Sequence, residues 1–169
     1  GELDGSTTPR IQSIAEQFRR AGLETTVTGD VAGMIWDKLL VNIATGALSA
    51  ITRLPYGDLY RVDDIEQCAL AAVAEAMAVA RAAGIRLKTR EAIEPWRLAA
   101  AGLPPDFKAS MLQSLEKGSR TEIDFVNGAV VREGRRLGVP TPVNATLVAC
   151  VKGIEAALTT PGDHTPQGY

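Results

Sequence analysis

With 169 residues, 46% of them hydrophobic and 22% charged, the chain is long enough to bury a sizeable core and too apolar to be disordered throughout. Its 18 basic and 20 acidic residues leave a formal charge of -2, which supplies no electrostatic footprint for nucleic acid or an anionic membrane surface. Cys68 and Cys150 lack the paired spacing of a zinc or redox site, and the single histidine, His164, lies in a polar tail, so neither metal nor disulfide is expected.

The chain begins at Gly1 with no methionine and no signal-peptide pattern, which reads as a cut made inside a longer protein. Residues 1–30 pattern as strand, helix, strand: a short Glu2-Leu3 segment, a helical stretch from Pro9 to Ala21 ended by Gly22, and the β-branched run Thr25 to Thr28. Two such strands make a marginal sheet by themselves, so this segment is expected to be the tail of an α/β domain whose other strands lie upstream.

From Asp30 onward the periodicity is helical. Asp30 caps a predicted helix running to about Ile51, with Trp36, Leu39, Leu40, Ile43 and Ala47 spaced for burial. Leu54-Pro55-Tyr56-Gly57 reads as a turn. Asp63 or Asp64 opens a second long helix ending at Gly84, with Ile65, Cys68, Ala72, Ala76 and Val79 facing inward and an alanine-rich face suited to close packing. The longest apolar stretches, such as Ala69 to Ala80 broken by Glu75, fall short of the roughly 20 apolar residues of a membrane span. Further helices are predicted over Thr89–Ala101, before the loop Gly102-Leu103-Pro104-Pro105, then over Ala109–Lys117 and Glu122–Leu137, with a last one begun by Thr141-Pro142. The expected architecture is mainly α: a helical bundle over residues 31–158, preceded by the α/β remnant and followed by a flexible tail, 159–169. Trp36, Met111, Phe125 and the alanines of the second long helix are core candidates.

Two polar constellations stand out. Lys38 and Asn42 lie one turn apart on one helix face, with Ser49 further round; they read either as a solvated pair or as an acid beside a hydrogen bonder. Ser110 sits in the first turn of a helix, where free N–H groups favour an anion such as a carboxylate. Thr121 and Asp124 form a loose capping box that leaves Glu122 at a helix start, and both Ser110 and Glu122 also read as ordinary first-turn residues. Asn144 suits the start of its helix, and Asn127-Gly128 inside a helix points to close approach of another helix or a substrate.

Four separated segments together carry a resemblance: Trp36-Asp37-Lys38-Leu39-Leu40-Val41-Asn42, Lys108-Ala109-Ser110-Met111-Leu112-Gln113, Thr121-Glu122-Ile123-Asp124-Phe125-Val126-Asn127-Gly128 and Gly138-Val139-Pro140-Thr141-Pro142-Val143-Asn144. In that order they resemble the C-terminal signatures of the ketopantoate reductase (2-dehydropantoate 2-reductase) family. The resemblance implies a helical bundle of the 6-phosphogluconate-dehydrogenase C-terminal-like type, behind a Rossmann nucleotide-binding domain whose tail is residues 1–30. It implies NADPH as cofactor, with no cofactor-binding residue assigned in this chain, reduction of a 2-oxoacid, 2-dehydropantoate to pantoate in pantothenate biosynthesis first, and a cytoplasmic setting, a homodimer being left open. Lys38 matches the catalytic lysine, Glu122 the acid supporting it, and Asn42 and Ser110 the residues holding the substrate's hydroxyl and carboxylate. The chain departs from the family at Gly46, where a second asparagine is usual, so a sister dehydrogenase acting on another 2-oxoacid stays open, as does a noncatalytic helical dimerisation module. The chain alone is expected to fold but to be inactive and unable to bind NADPH.

Overall fold

The computed structural model describes residues 1–159, and the predicted tail lies outside them from residue 160 on. Eight helices follow in order: α1 (Pro9–Arg20), α2 (Val31–Thr52), α3 (Tyr56–Leu59), α4 (Asp63–Ala82), α5 (Ile93–Ala100), α6 (Ser110–Glu116), α7 (Asn127–Leu137) and α8 (Pro142–Thr159). The bundle is built around α2, which packs against α4, α5, α6 and α8. Asp30 caps it as expected, its carboxylate accepting the Gly33 N–H at 3.2 Å. Leu40, Ile43, Ala44, Ala47 and Ala50 are fully buried. By length and apolarity α2 could cross a membrane, contrary to the sequence expectation; here its apolar surface is the core of the bundle.

The alanines of α4 do what small side chains allow, burying Ala69, Ala72, Ala76 and Ala80 completely beside Val73 and Val79. The helix ends where Gly84 turns to φ 72°, a left-handed conformation that costs glycine little, and Ile85 N–H returns to the Ala80 carbonyl at 2.9 Å. The central aromatic is Trp96 of α5: it is 2% exposed, stacks on Tyr60 with ring centroids 4.0 Å apart, and donates its indole N–H to Glu66 at 3.1 Å. Tyr60 continues to Tyr56, and Tyr56 to Phe107, so one run of rings joins α5 and α3 to the loop before α6.

A polar knot ties α4, α7 and α8. The Glu75 carboxylate accepts the Val143 and Asn144 N–H groups at 2.8 and 3.0 Å and the Asn144 amide at 2.7 Å, while Asn144 accepts from the Asn127 amide at 3.0 Å. Asn144 thus serves the start of its helix, with Glu75 as the cap. Glu75→Ala strips an ionised acceptor from three donors and is expected to cost roughly 2–4 kcal/mol of stability in urea unfolding. A loss below about 0.5 kcal/mol would show that water replaces the carboxylate without penalty.

Several sequence expectations are corrected. Among the described residues the segments at Glu2-Leu3 and Thr25–Thr28 form no strand. The residues flanking them do run close, since a Cβ on Gly5 would lie 2.8 Å from the Gly29 carbonyl oxygen, but among the described residues no strand adjoins them and the backbone stays unladdered. The predicted Glu122–Leu137 helix begins only at Asn127, with turns before it. The predicted Thr89–Ala101 helix is the shorter α5, and the Tyr56-Gly57 turn contains the single-turn α3. Phe125 is 77% exposed rather than core, because the turn ahead of α7 places the buried positions at Ile123 and Val126; Trp36 is only partly buried against the core.

Candidate active site

A cleft of about 320 Å³ opens between α2, α3 and the start of α6, and all four residues singled out from the sequence line it: Lys38, Asn42, Ser110 and Glu122. Lys38 and Asn42 come from consecutive turns of α2, and both are exposed. The Lys38 ammonium makes no ion pair or hydrogen bond with the described residues. Glu122 faces the same cleft, and the Ser110 hydroxyl donates to its carboxylate. Lysine and glutamate therefore share a cleft without being paired to one another.

The positions of Ser110 and Glu122 are built by contacts distant in sequence. The loop before α6 is held to α3 by Tyr56 N–H to the Phe107 carbonyl at 2.9 Å and Gly57 N–H to the Pro105 carbonyl at 2.7 Å. Only glycine suits position 57, because a Cβ there would lie 2.7 Å from Pro105 Cβ and 2.9 Å from its oxygen. Glu122 sits in a turn stapled to α8. The Glu155 carboxylate accepts Thr121 N–H at 2.6 Å and its hydroxyl at 2.7 Å, Lys152 pairs with Asp124 at 2.7 Å, and Ile123 is buried at 1% exposure. The expected Thr121–Asp124 capping box is not formed, since both side chains are engaged by α8. Ser49 is also withdrawn from the site: it is buried and donates its hydroxyl to the Leu54 carbonyl at 2.7 Å, closing the end of α2.

Sequence reasoning missed three contributors. Thr45 and Tyr56 line the floor of the cleft, their hydroxyls 2.9 Å apart and buried. Burial pushes the Tyr56 phenol above its ordinary value near ~10, with the Thr45 hydrogen bond partly offsetting this, so Tyr56 stays neutral at working pH and offers a hydroxyl rather than a base. Asp37, next to the lysine, accepts Lys88 N–H at 3.1 Å and both Thr89 N–H and hydroxyl at 3.1 and 2.8 Å, anchoring the segment after α4 to α2. Nothing local in the sequence marks a partner 52 residues away.

Residues 30–155 match the family model described as the ketopantoate reductase PanE/ApbA C terminal. The 2-dehydropantoate 2-reductase of Archaeoglobus fulgidus is 33% identical over 158 residues, covering 94% of this chain and 52% of that protein. A PanE/ApbA family ketopantoate reductase from Ralstonia eutropha JMP134 superimposes with a TM-score of 0.83 at 38% identity, covering 90% of this chain and 51% of that one. D-mandelate dehydrogenase, solved with NADH and anilino(oxo)acetate, gives a TM-score of 0.81 at 26% identity, covering 89% of this chain and 63% of that one. The chain thus spans about half the length of the curated relatives it matches. With the family model covering residues 30–155 and relatives agreeing in sequence and fold, this chain belongs to the ketopantoate reductase family and carries its helical C-terminal domain.

Proposed function

We propose that the chain supplies the substrate-binding and proton-donating part of a cytoplasmic, NADPH-dependent 2-oxoacid reductase, with 2-dehydropantoate, the substrate in its relatives' names, as the first candidate. The observation that carries this is the gathering of Lys38, Asn42, Ser110 and Glu122 from three separate segments onto one cleft. Residues 31–158 are the helical substrate unit, and residues 1–30 are the end of the nucleotide-binding unit. Both cysteines are free, which suits a reducing compartment.

The described residues include no glycine-rich turn between a strand and a helix, so the chain does not by itself fit the phosphates of a dinucleotide, and no residue here is assigned to hold it. What these residues can do concerns the ketone. As the keto carbon is reduced, negative charge gathers on its oxygen, and an ammonium beside it stabilises that charge and then yields a proton. Two features support this role for Lys38: it is exposed on the cleft wall, and its ammonium makes no ion pair or hydrogen bond with the described residues. Glu122 lends the cleft a carboxylate, and its bond to Ser110 orients the serine hydroxyl, which becomes a donor to the substrate carboxylate when it turns outward. Asn42, one turn along from the lysine, offers an amide to a substrate oxygen.

The test is oxidation of NADPH by the full-length protein in the presence of a panel of 2-oxoacids; substrate-dependent oxidation supports the reading, and none with any 2-oxoacid refutes it. Asn42→Ala should act mainly through KM, raising it by about 5- to 100-fold if the amide holds a substrate group, with kcat little changed. A changed kcat at constant KM would move Asn42 from holding the substrate to the chemical step. A second reading, a 2-oxoacid other than 2-dehydropantoate, is favoured by Gly46, where the family usually has an amide.

A further inference from the structure

The cleft has two ends of opposite chemistry. Lys38, Asn42, Ser110 and Glu122 line one. Gly46 lies on the same stripe of α2 as Lys38 and Asn42, one turn beyond the asparagine, where the helix presents no side chain to the cleft. The Met111 thioether covers that gap: a Cβ placed on Gly46 would lie 3.3, 3.5 and 3.7 Å from its Cε, Sδ and Cγ atoms. Met111 is 1% exposed and held in α6 immediately after Ser110, so its thioether side chain, not an amide, fills the space beside Gly46 at this turn of the lining. Ala99, Leu103, Phe107 and Ala109 extend the surface in carbon. The polar atoms at this end, the Thr45 and Tyr56 hydroxyls, are turned to each other.

We infer that Gly46 and Met111 are specificity-determining residues, and that the cleft takes a 2-oxoacid whose substituent beyond the keto carbon is a branched or aromatic hydrocarbon without a hydroxyl. This rests on the 2-oxoacid reductase reading above and narrows its substrate class. With the keto oxygen at Lys38 and the carboxylate at Ser110, the substituent is directed along α2 towards the Gly46–Met111 wall. A hydroxyl at the Gly46 turn leaves water for sulfur and carbon, with Asn42 a turn away and the Thr45 and Tyr56 hydroxyls bonded to each other, whereas a methyl group gains contacts. Glycine is matched to the wall: any larger residue at position 46 must displace Met111.

A matched pair of substrates tests this with the full-length enzyme and NADPH: 2-dehydropantoate, which is 4-hydroxy-3,3-dimethyl-2-oxobutanoate, and its analogue 3,3-dimethyl-2-oxobutanoate, which lacks only the hydroxyl. The expected result is a kcat/KM at least about tenfold higher for the analogue, the cost of an unpaired hydroxyl. Parity, or preference for 2-dehydropantoate, overturns the inference and leaves the reductase reading standing. Failure to reduce either compound, or any other 2-oxoacid, overturns both. In a second arm, Gly46→Asn should narrow the ratio by at least fivefold by placing an amide on the wall; an unchanged ratio in a variant with native circular dichroism overturns the assignment of this wall.

Discussion

Replacing Lys38 by alanine in the full-length enzyme is expected to lower kcat by about 10²- to 10⁴-fold on its best 2-oxoacid, with a much smaller change in KM. The direction follows from where the ammonium acts: its contact with the ketone oxygen strengthens as charge develops there, so its loss is felt in the transition state more than in the bound substrate. Stability should be nearly unaffected, because the side chain is exposed and makes no ion pair or hydrogen bond with the described residues. Steady-state kinetics with a thermal melt beside them separates the two effects. A variant that keeps its melting temperature and its kcat would take the lysine out of the mechanism.

The largest expected effect on stability lies at Trp96. Trp96→Ala removes a side chain that is 2% exposed, its stack on Tyr60 at 4.0 Å and the indole bond to Glu66, and should cost about 3–5 kcal/mol. The damage should reach the cleft, because Tyr60 abuts Tyr56, Tyr56 abuts Phe107, and both of the latter line the site. Urea unfolding followed by circular dichroism measures the loss. A cost under about 1 kcal/mol would mean that the aromatic run is not part of what holds the bundle together.

The long helices were legible because their signals are local: Asp30 before an apolar periodic run, glycine after the last turn at positions 84 and 138, and Pro142 in a first turn. The turn at Thr121–Val126 was not, because what opposes the helix there is the Glu155 carboxylate, 34 residues away, taking both the N–H and the hydroxyl of Thr121. Phe125 was misjudged for the same reason: its burial was read from a helical register that the turn abolishes. Strand propensity at Thr25–Thr28 was real but needs a neighbouring strand to express it. In the site, Lys38 and Asn42 were readable as a pair from their spacing. Ser110 and Glu122 could be joined to them only through the family resemblance, since no local rule links residue 38 to residue 122. The Thr45–Tyr56 hydroxyl pair and the Asp37–Thr89 anchor are tertiary contacts and left no trace in the pattern.

The claim on which the rest depends is that this cleft holds the 2-oxoacid with its keto oxygen at Lys38. A ternary structure of the full-length protein with NADP⁺ and the 2-hydroxyacid product of its best substrate tests it directly. The account predicts the product hydroxyl within about 3.2 Å of Lys38 Nζ and its carboxylate beside Ser110. A product bound in another cleft, or in this one with its carboxylate at Lys38 and its hydroxyl turned away from the ammonium, would contradict it.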